Sequence, residues 1–433
     1  MHPFGLIYIF QSRRNQWKSA EEIKRIQDRK LKNLVQHAYN NVPYYENLFR
    51  SVSLKPSDIR GIEDLAKIPL SSKRTYAGKP RKEFLSRSAD PARFRESRSS
   101  GSTGVPLSIF HRRKDLTITN FGFLRMLRAH GYKPWYKKVE FTGSRNVPKY
   151  RSWYEYLGFL RRKVLSDATD PSQWIQELRT WRPEVIMGYV MMLRQLAKTM
   201  GEQGIDWIKP RLVFSTSATL DQTTRSALMS AFETKVIDYY ASEEGRCIAW
   251  ECDSCSGYHI NADLLILEVV NEDGEPVPQG TEGEITITNL HSYAMPFIRY
   301  RQGDVGALSE KQPVCGRGLP LLKHIQGRTD DFILSLDGRR ISPRLFYYAL
   351  WTVPGVAEFR LIQKDLHHIR VEIFPSKEYD EASTQLLLEN IRQLIGNEVE
   401  IDLSLVRSIP RGPSEKYRTF TCMIKDEHRH RAE

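Results

Sequence analysis

A chain of 433 residues, 40% hydrophobic and 27% charged, carries enough apolar material for a large core and more than one domain, which excludes wholesale disorder. Its 65 lysines and arginines outnumber its 52 acids, and the net charge of +13 admits an anionic substrate, a nucleic acid or a membrane surface. The basic residues, however, fall in short clusters such as Arg13-Arg14, Arg161-Arg162-Lys163 and Arg339-Arg340, interleaved with acids and free of any nucleic-acid-binding motif, so no nucleic-acid partner is expected.

The apolar run Phe4 to Phe10 is far short of a transmembrane segment, and no small-residue cleavage site follows it. It reads as a packing or interfacial element of a cytoplasmic protein. The five cysteines, an odd number in a large chain, argue for reduced thiols rather than a disulfide framework. From Ala20 to about Phe49, Ile23, Ile26, Leu31, Leu34 and Val35 fall near helical spacing, and residues 1–75 read as a helical cap.

Next comes Ser97 to Pro106, S-R-S-S-G-S-T-G-V-P. Here Ser99, Ser100, Ser102 and Thr103 surround Gly101 and Gly104, so hydroxyls and backbone N–H groups can converge on an anion with no Cβ in the way. A Walker A loop would end in Gly-Lys-Ser/Thr, whereas Gly104 precedes Val105 and Pro106. The stretch therefore reads as a phosphate cradle of another kind or as a Ser/Gly linker.

Beyond it, strands at Leu107 to Phe110, Lys138 to Thr142, Val185 to Gly188, Leu212 to Thr216 and Lys235 to Asp238 alternate with helices at Leu116 to His130, Ser172 to Thr180, Met191 to Met200 and Thr223 to Phe232. That alternation predicts an α/β body with mostly parallel sheets. Ligands then belong beyond the strand C-termini, at Gly143, Gly188, Ser215 to Ser217 and Tyr239 to Glu244. Phe141, Gly143, Gly188, Tyr189 and Ala218 are pocket candidates at or near those tips. The runs Leu264 to Val270 and Glu284 to Thr288 predict a small antiparallel region, and the last hundred or so residues an α+β lid-like domain.

Four later stretches carry chemistry. Tyr240-Ala-Ser-Glu-Glu-Gly245 offers an aromatic to stack on a base and carboxylates for Mg²⁺, or a solvated turn. Arg299-Tyr-Arg-Gln-Gly-Asp304 ends in an acid that suits ribose hydroxyls or an ordinary turn. Gly327-Arg-Thr-Asp-Asp331 is a phosphate contact or a local ion pair. Pro410-Arg-Gly-Pro-Ser-Glu-Lys416 brings one lysine on a Pro/Gly-rich loop. Separately, Cys252-x₂-Cys255 with Cys315 provides three thiolates for a structural Zn²⁺, with His259 or Cys247 as the fourth ligand; buried free cysteines are the alternative.

The order of these pieces resembles the AMP-forming adenylating superfamily, and most closely its phenylacetate-CoA ligase and CapK-like branch. The stretches His37 to Tyr45, Ile248 to Cys252 and Cys315 to Pro320 share in the resemblance, which spans nearly the whole chain. It implies an ATP-dependent acid ligase with an adenylation domain over residues 1–328 and a mobile C-terminal lid over 329–433. Ser99, Ser100, Gly101, Ser102, Thr103 and Gly104 would hold the β- and γ-phosphates, Tyr240 would stack near adenine and Glu244 would bind Mg²⁺. Asp304 would hold the ribose with Arg328 alongside, Asp330 would be the hinge and Lys416 the catalytic lysine. Glu243, Ala218 and Glu415 depart from the branch's usual residues. The partners implied are a small carboxylic acid and coenzyme A, with a glycan-precursor acceptor or a non-catalytic nucleotide-binding role as alternatives and room for a homodimer.

Overall fold

The computed structural model describes residues 3–88, 90–98, 107–143, 153–328, 332–341, 345–346, 349–350, 353–409 and 419–424. The chain divides into two compact units, one of Met1–Gln302 with Gly306–Ile325 and the other of Gly303–Val305 with Gln326–Glu433.

In the first unit, β1 (Arg95–Arg98) and β2 (Ser108–His111) make an antiparallel pair with Arg98 opposite Ser108. An 11-stranded sheet contains β3 (Lys138–Thr142), β4 (Arg162–Ser166), β5 (Val185–Tyr189), β6 (Leu212–Thr216), β7 (Val236–Ser242), β8 (Arg246–Glu251), β9 (Tyr258–Ile260), β10 (Leu265–Val270), β11 (Glu282–Asn289), β12 (Tyr300–Leu308) and β13 (Leu321–Arg328). Their spatial order is β10-β11-β12-β13-β9-β8-β7-β6-β5-β3-β4. From β4 through β3, β5 and β6 to β7 every pairing is parallel. At β7 the direction changes: β8 pairs antiparallel with β7, β9 with β8, β13 with β9, and β10 with β11.

The expectation of mostly parallel sheets with a small antiparallel region is therefore corrected to one large mixed sheet. The physical reason lies at Glu243-Glu244-Gly245, which turns the chain back on itself straight after β7, so β8 adds without a crossover helix. Strand β4 begins within the charge cluster Arg161-Arg162-Lys163. Arg162 and Lys163 stand on an outermost strand of the sheet, where charge discourages pairing with another chain.

The crossover helices Pro171–Trp181, Val190–Glu202 and Gln222–Phe232 bury Trp174, Leu178, Leu193, Leu196, Leu228 and Phe232. These close a core with Val139, Phe141, Ile186 and Val213 of the parallel strands. Asp170 and Asp221 cap the first and third of these helices, each accepting from a backbone N–H of the opening turn at 2.8 Å. The N-terminal helices dock on the antiparallel half. Ser19 and Glu22 form a reciprocal capping box on helix Ala20–Asn41, which buries Ile23, Leu31, Leu34 and Val35. Gln27 Nε2 then donates to the Leu265 carbonyl at 3.0 Å, and the Tyr45 hydroxyl to that of Pro296 at 3.0 Å. The run Phe4 to Phe10 falls in helix Pro3–Asn15, which packs on helix Arg113–Ala129.

The second unit contains a two-stranded pair, β14 (Ile333–Leu334) with β15 (Arg340–Ile341), and a four-stranded sheet. The latter is built from β16 (Val356–Gln363), β17 (His368–Pro375), β18 (Glu400–Leu405) and β19 (Phe420–Cys422) in the order β18-β17-β16-β19. Helix Glu381–Ile395, capped by Asp380, buries Leu387, Ile391 and Ile395 in a core with Phe359, Leu361, Ile369 and Val371. Among the described residues no helix is long and apolar enough to cross a membrane.

Candidate active site and metal centre

Parallel pairing brings the C-terminal ends of β3, β5, β6 and β7 to one edge of the sheet, with Phe141 beside Gly188, Gly188 beside Ser215 and Ser215 beside Asp238. Thr142 donates to the Tyr189 hydroxyl at 3.2 Å, and Thr216 Oγ1 to the Tyr239 carbonyl at 2.9 Å, tying neighbouring tips together. Phe141, a pocket candidate from sequence, is instead fully buried, its ring centroid 5.1 Å from that of Trp174. A Cβ on Gly188 would lie 2.6 Å from Phe141 Cβ, so that glycine answers to close strand packing.

Tyr240 stands near the end of β7, at an irregularity in the pairing with β8 between Tyr240 and Ala241. Bulges of this kind re-aim side chains. Glu243 pairs with Arg246 at 3.1 Å. Glu244 is buried, accepts a hydrogen bond from the Tyr300 hydroxyl at 3.0 Å, and has its backbone carbonyl held by Asn289 Nδ2 at 2.7 Å. Burial raises its carboxyl above the usual range, and the Tyr300 hydrogen bond works the other way. A divalent cation would restore the charged form. The turn is locked from behind, because a Cβ on Gly245 would meet Ile248 at 2.6 Å and Ile287 at 2.8 Å.

Of the other expected residues, Asp304 lies within β12 and Arg328 is the last residue of β13. Ser99, Ser100, Gly101, Ser102, Thr103, Gly104, Asp330 and Lys416 lie outside the described residues, as does Glu415. The paired strands β1 and β2 nevertheless flank the Ser/Gly stretch on both sides.

The cysteines come together as a group. Ligand atoms of Cys252, Cys255, His259 and Cys315 all lie within 4.8 Å of one another. Cys252 and Cys255 enter on the turn after β8, where the Ser254 N–H points to the Cys252 sulfur at 3.5 Å. Gly257, at φ 116°, closes that turn against the Leu322 carbonyl. On β9, His259 has Nδ1 at 3.2 Å from the Leu319 carbonyl, which fixes the tautomer that leaves Nε2 as the ligand atom. Nε2 is 3.2 Å from Cys315 Sγ. Burial pushes His259 down to about 4, keeping it neutral and able to ligate. Burial pushes the Cys252 thiol up to about 11, whereas at Cys315 burial is opposed by N–H donors of Arg317 together with the Cys255 and Cys252 thiols, and the thiol is lowered. Three thiols and one imidazole make a donor set that suits tetrahedral zinc and could hold such an ion. Cys247, the alternative fourth ligand, is buried within β8 and stands outside this group.

One perturbed acid carried no signal in the sequence. Asp238 accepts from Ser215 Oγ at 2.6 Å and from the Tyr258 hydroxyl at 3.0 Å. Burial raises it to about 7, with Glu251 adding repulsion, while Arg225 pairs with Glu251.

A family model described as the CapK C-terminal domain matches residues 333–422. The chain is 28% identical over 403 residues to phenylacetate-coenzyme A ligase of Thermus thermophilus, covering 88% of this chain and 85% of the relative. It is 24% identical over 339 residues to protein CapK of Staphylococcus aureus, covering 76% and 74%. Among solved structures, 2-hydroxyisobutyryl-CoA ligase in its postadenylation state, in complex with R3-HIB-AMP, aligns with a TM-score of 0.78 at 19% identity, over 96% of this chain and 92% of that one. That likeness speaks to the fold.

Proposed function

The chain belongs to the phenylacetate-CoA ligase and CapK family of adenylate-forming ligases, and from that premise we propose that it joins a small carboxylic acid to coenzyme A through an acyl-adenylate. The observation that carries the reading is Glu244, a buried carboxyl on the hairpin that directly follows the last parallel strand, steadied by Tyr300.

The residues divide the work as follows. Ser99, Ser100, Gly101, Ser102, Thr103 and Gly104 hold the β- and γ-phosphates of ATP through hydroxyls and backbone N–H groups, Tyr240 stacks on adenine, and Asp304 with Arg328 holds the ribose. Glu244 would carry Mg²⁺, which would supply neutralisation of the phosphate charge. The acid's oxygen attacks the α-phosphorus while the bond to pyrophosphate breaks, and Lys416 meets the negative charge that grows on the phosphoryl oxygens. Two anions must be held together against their repulsion, so positioning supplies much of the acceleration. The coenzyme A sulfur then displaces AMP from the acyl carbon, with Asp330 as the pivot of the C-terminal unit. Cys252, Cys255, His259 and Cys315 would hold a structural Zn²⁺ in a tetrahedral set of three thiolates and one imidazole.

The match of a CapK C-terminal model to residues 333–422 favours one second reading, the same adenylation followed by transfer to an acceptor other than coenzyme A. Incubation with ATP, Mg²⁺, coenzyme A and a panel of acids headed by phenylacetate separates the outcomes. Acid-dependent AMP with an acyl-CoA supports the main reading, and AMP with no thioester supports the second. ATP binding without AMP from any acid would leave a nucleotide-binding protein and overturn both.

A further inference from the structure

We propose that the cleft between helix Pro3–Asn15 and helix Arg113–Ala129 binds an organic phosphate, a phosphomonoester or diphosphate that carries an aromatic or prenyl body. The cleft measures about 300 Å³ and shares no residue with the nucleotide site, so it stands whether or not the ligase reading does. That volume suits one small molecule rather than a macromolecular surface.

Four guanidinium groups line it, from Arg13, Arg125, Arg128 and Arg317, and no carboxylate does. Arg125 is 4% exposed; it donates to Ser12 Oγ at 3.0 Å and to Asp263 Oδ1 at 2.7 Å, yet its Nη1 is buried without a hydrogen-bond partner among the described residues. That Nη1 is closed off by its neighbours, so Arg125 lends the cleft buried positive charge while Arg13, Arg128 and Arg317 offer the donors. Asp263 is shared, its other oxygen accepting from Asn15 Nδ2 at 2.9 Å. Arg13 and Arg128 form no ion pair among the described residues. Arg317 donates to Gln16 Oε1 at 3.1 Å and to the Cys315 sulfur and lies over the rings of Trp17 and Trp250, with no carboxylate partner among the described residues.

The chemistry of the ligand follows from this count. Guanidinium forks match phosphate and carboxylate oxygens alike, but a carboxylate offers only two oxygens to the three forks of Arg13, Arg128 and Arg317, whereas a phosphoryl group or diphosphate has enough acceptors for all. The remaining lining is apolar, with Ile9, Trp17, Phe121, Leu124 and Tyr132 placed to hold a ring or a hydrocarbon. The site is also built before binding. The Gly318 N–H donates to the Gln16 carbonyl at 2.9 Å, and a Cβ on Gly318 would collide with the Lys18 carbonyl, so the segment carrying Arg317 is pressed onto the end of the N-terminal helix.

Calorimetric titration of the full chain with inorganic pyrophosphate, 3′-phosphoadenosine 5′-phosphate and farnesyl diphosphate tests the proposal, against the double variant R13A/R128A. Both arginines are exposed, so the variant should keep its melting temperature and its pyrophosphate exchange. The expected result is that one organic phosphate binds the native chain more tightly than pyrophosphate does, and binds R13A/R128A about tenfold or more weakly, as loss of charge-assisted contacts demands. A response to the adenosine compound identifies a nucleotide source and one to farnesyl diphosphate a lipid source. Equal affinity in native and variant chains, binding of neither compound, no advantage over pyrophosphate, or a parallel loss of exchange in the variant would each overturn it.

Discussion

In the proposed site, one hydrogen bond, from the Tyr300 hydroxyl to Glu244, bears on the charge of the buried carboxyl. The Tyr300 hydroxyl stabilises the charged carboxylate against burial, so Tyr300→Phe should raise the Glu244 pKa further and move the acidic limb of Mg²⁺-dependent activity to higher pH. A pH-rate profile that superimposes on the native one would contradict this assignment. Asp238 titrates in the same sense for a different purpose. Its folded value of about 7 lies above the ordinary 3.8, so the folded chain holds that proton more tightly than the unfolded chain does. Its contribution to stability is therefore full below about 4 and is lost as pH rises through about 7. Asp238→Asn, neutral throughout, should flatten the fall in urea midpoint across that window, and an unchanged slope would count against it. The strand before Tyr240 was legible in the sequence, whereas the roles proposed for Tyr240 and Glu244 come from the resemblance. Asp238 was read only as a strand end, since Ser215, Glu251 and Tyr258, which set its environment, reach it only through sheet pairing.

The turn from Cys252 to Gly257 is the element whose geometry is most exposed to test. Gly257 combines φ 116° with a Cβ position 2.6 Å from the Leu322 carbonyl, so Gly257→Ala is strained twice over. The variant should lose roughly 1–3 kcal/mol of stability, and its metal should pass more readily to a chelator than that of the native chain. For the metal itself, elemental analysis should find about one zinc per chain, and none in Cys252→Ser, with a lower melting temperature for the variant. Native protein without zinc after purification in metal-containing buffer would end the proposal. The C-x₂-C spacing was readable because a turn presents both sulfurs together. The choice of His259 over Cys247 was not, because it depends on β8 burying Cys247 and on the Leu319 carbonyl orienting the imidazole.

At the scale of the molecule, strand and helix alternation revealed the α/β body because each crossover helix carries an apolar face that a parallel strand pair must cover. What the sequence hid was continuity. Strands β7 and β8 are joined by a turn whose residues, Glu243 and Glu244, read as chemistry rather than as a hairpin, so the parallel and antiparallel halves seemed separate. The same turn places the proposed metal carboxylate where two kinds of sheet meet. The account stands most directly on exchange of labelled pyrophosphate into ATP, measured with and without acid in native chain and in Lys416→Ala. It predicts acid-dependent exchange in the native chain and a loss of about a hundredfold or more in the variant, with ATP affinity nearly intact. Exchange at the native rate in Lys416→Ala, or none in the native chain with any acid, would contradict it.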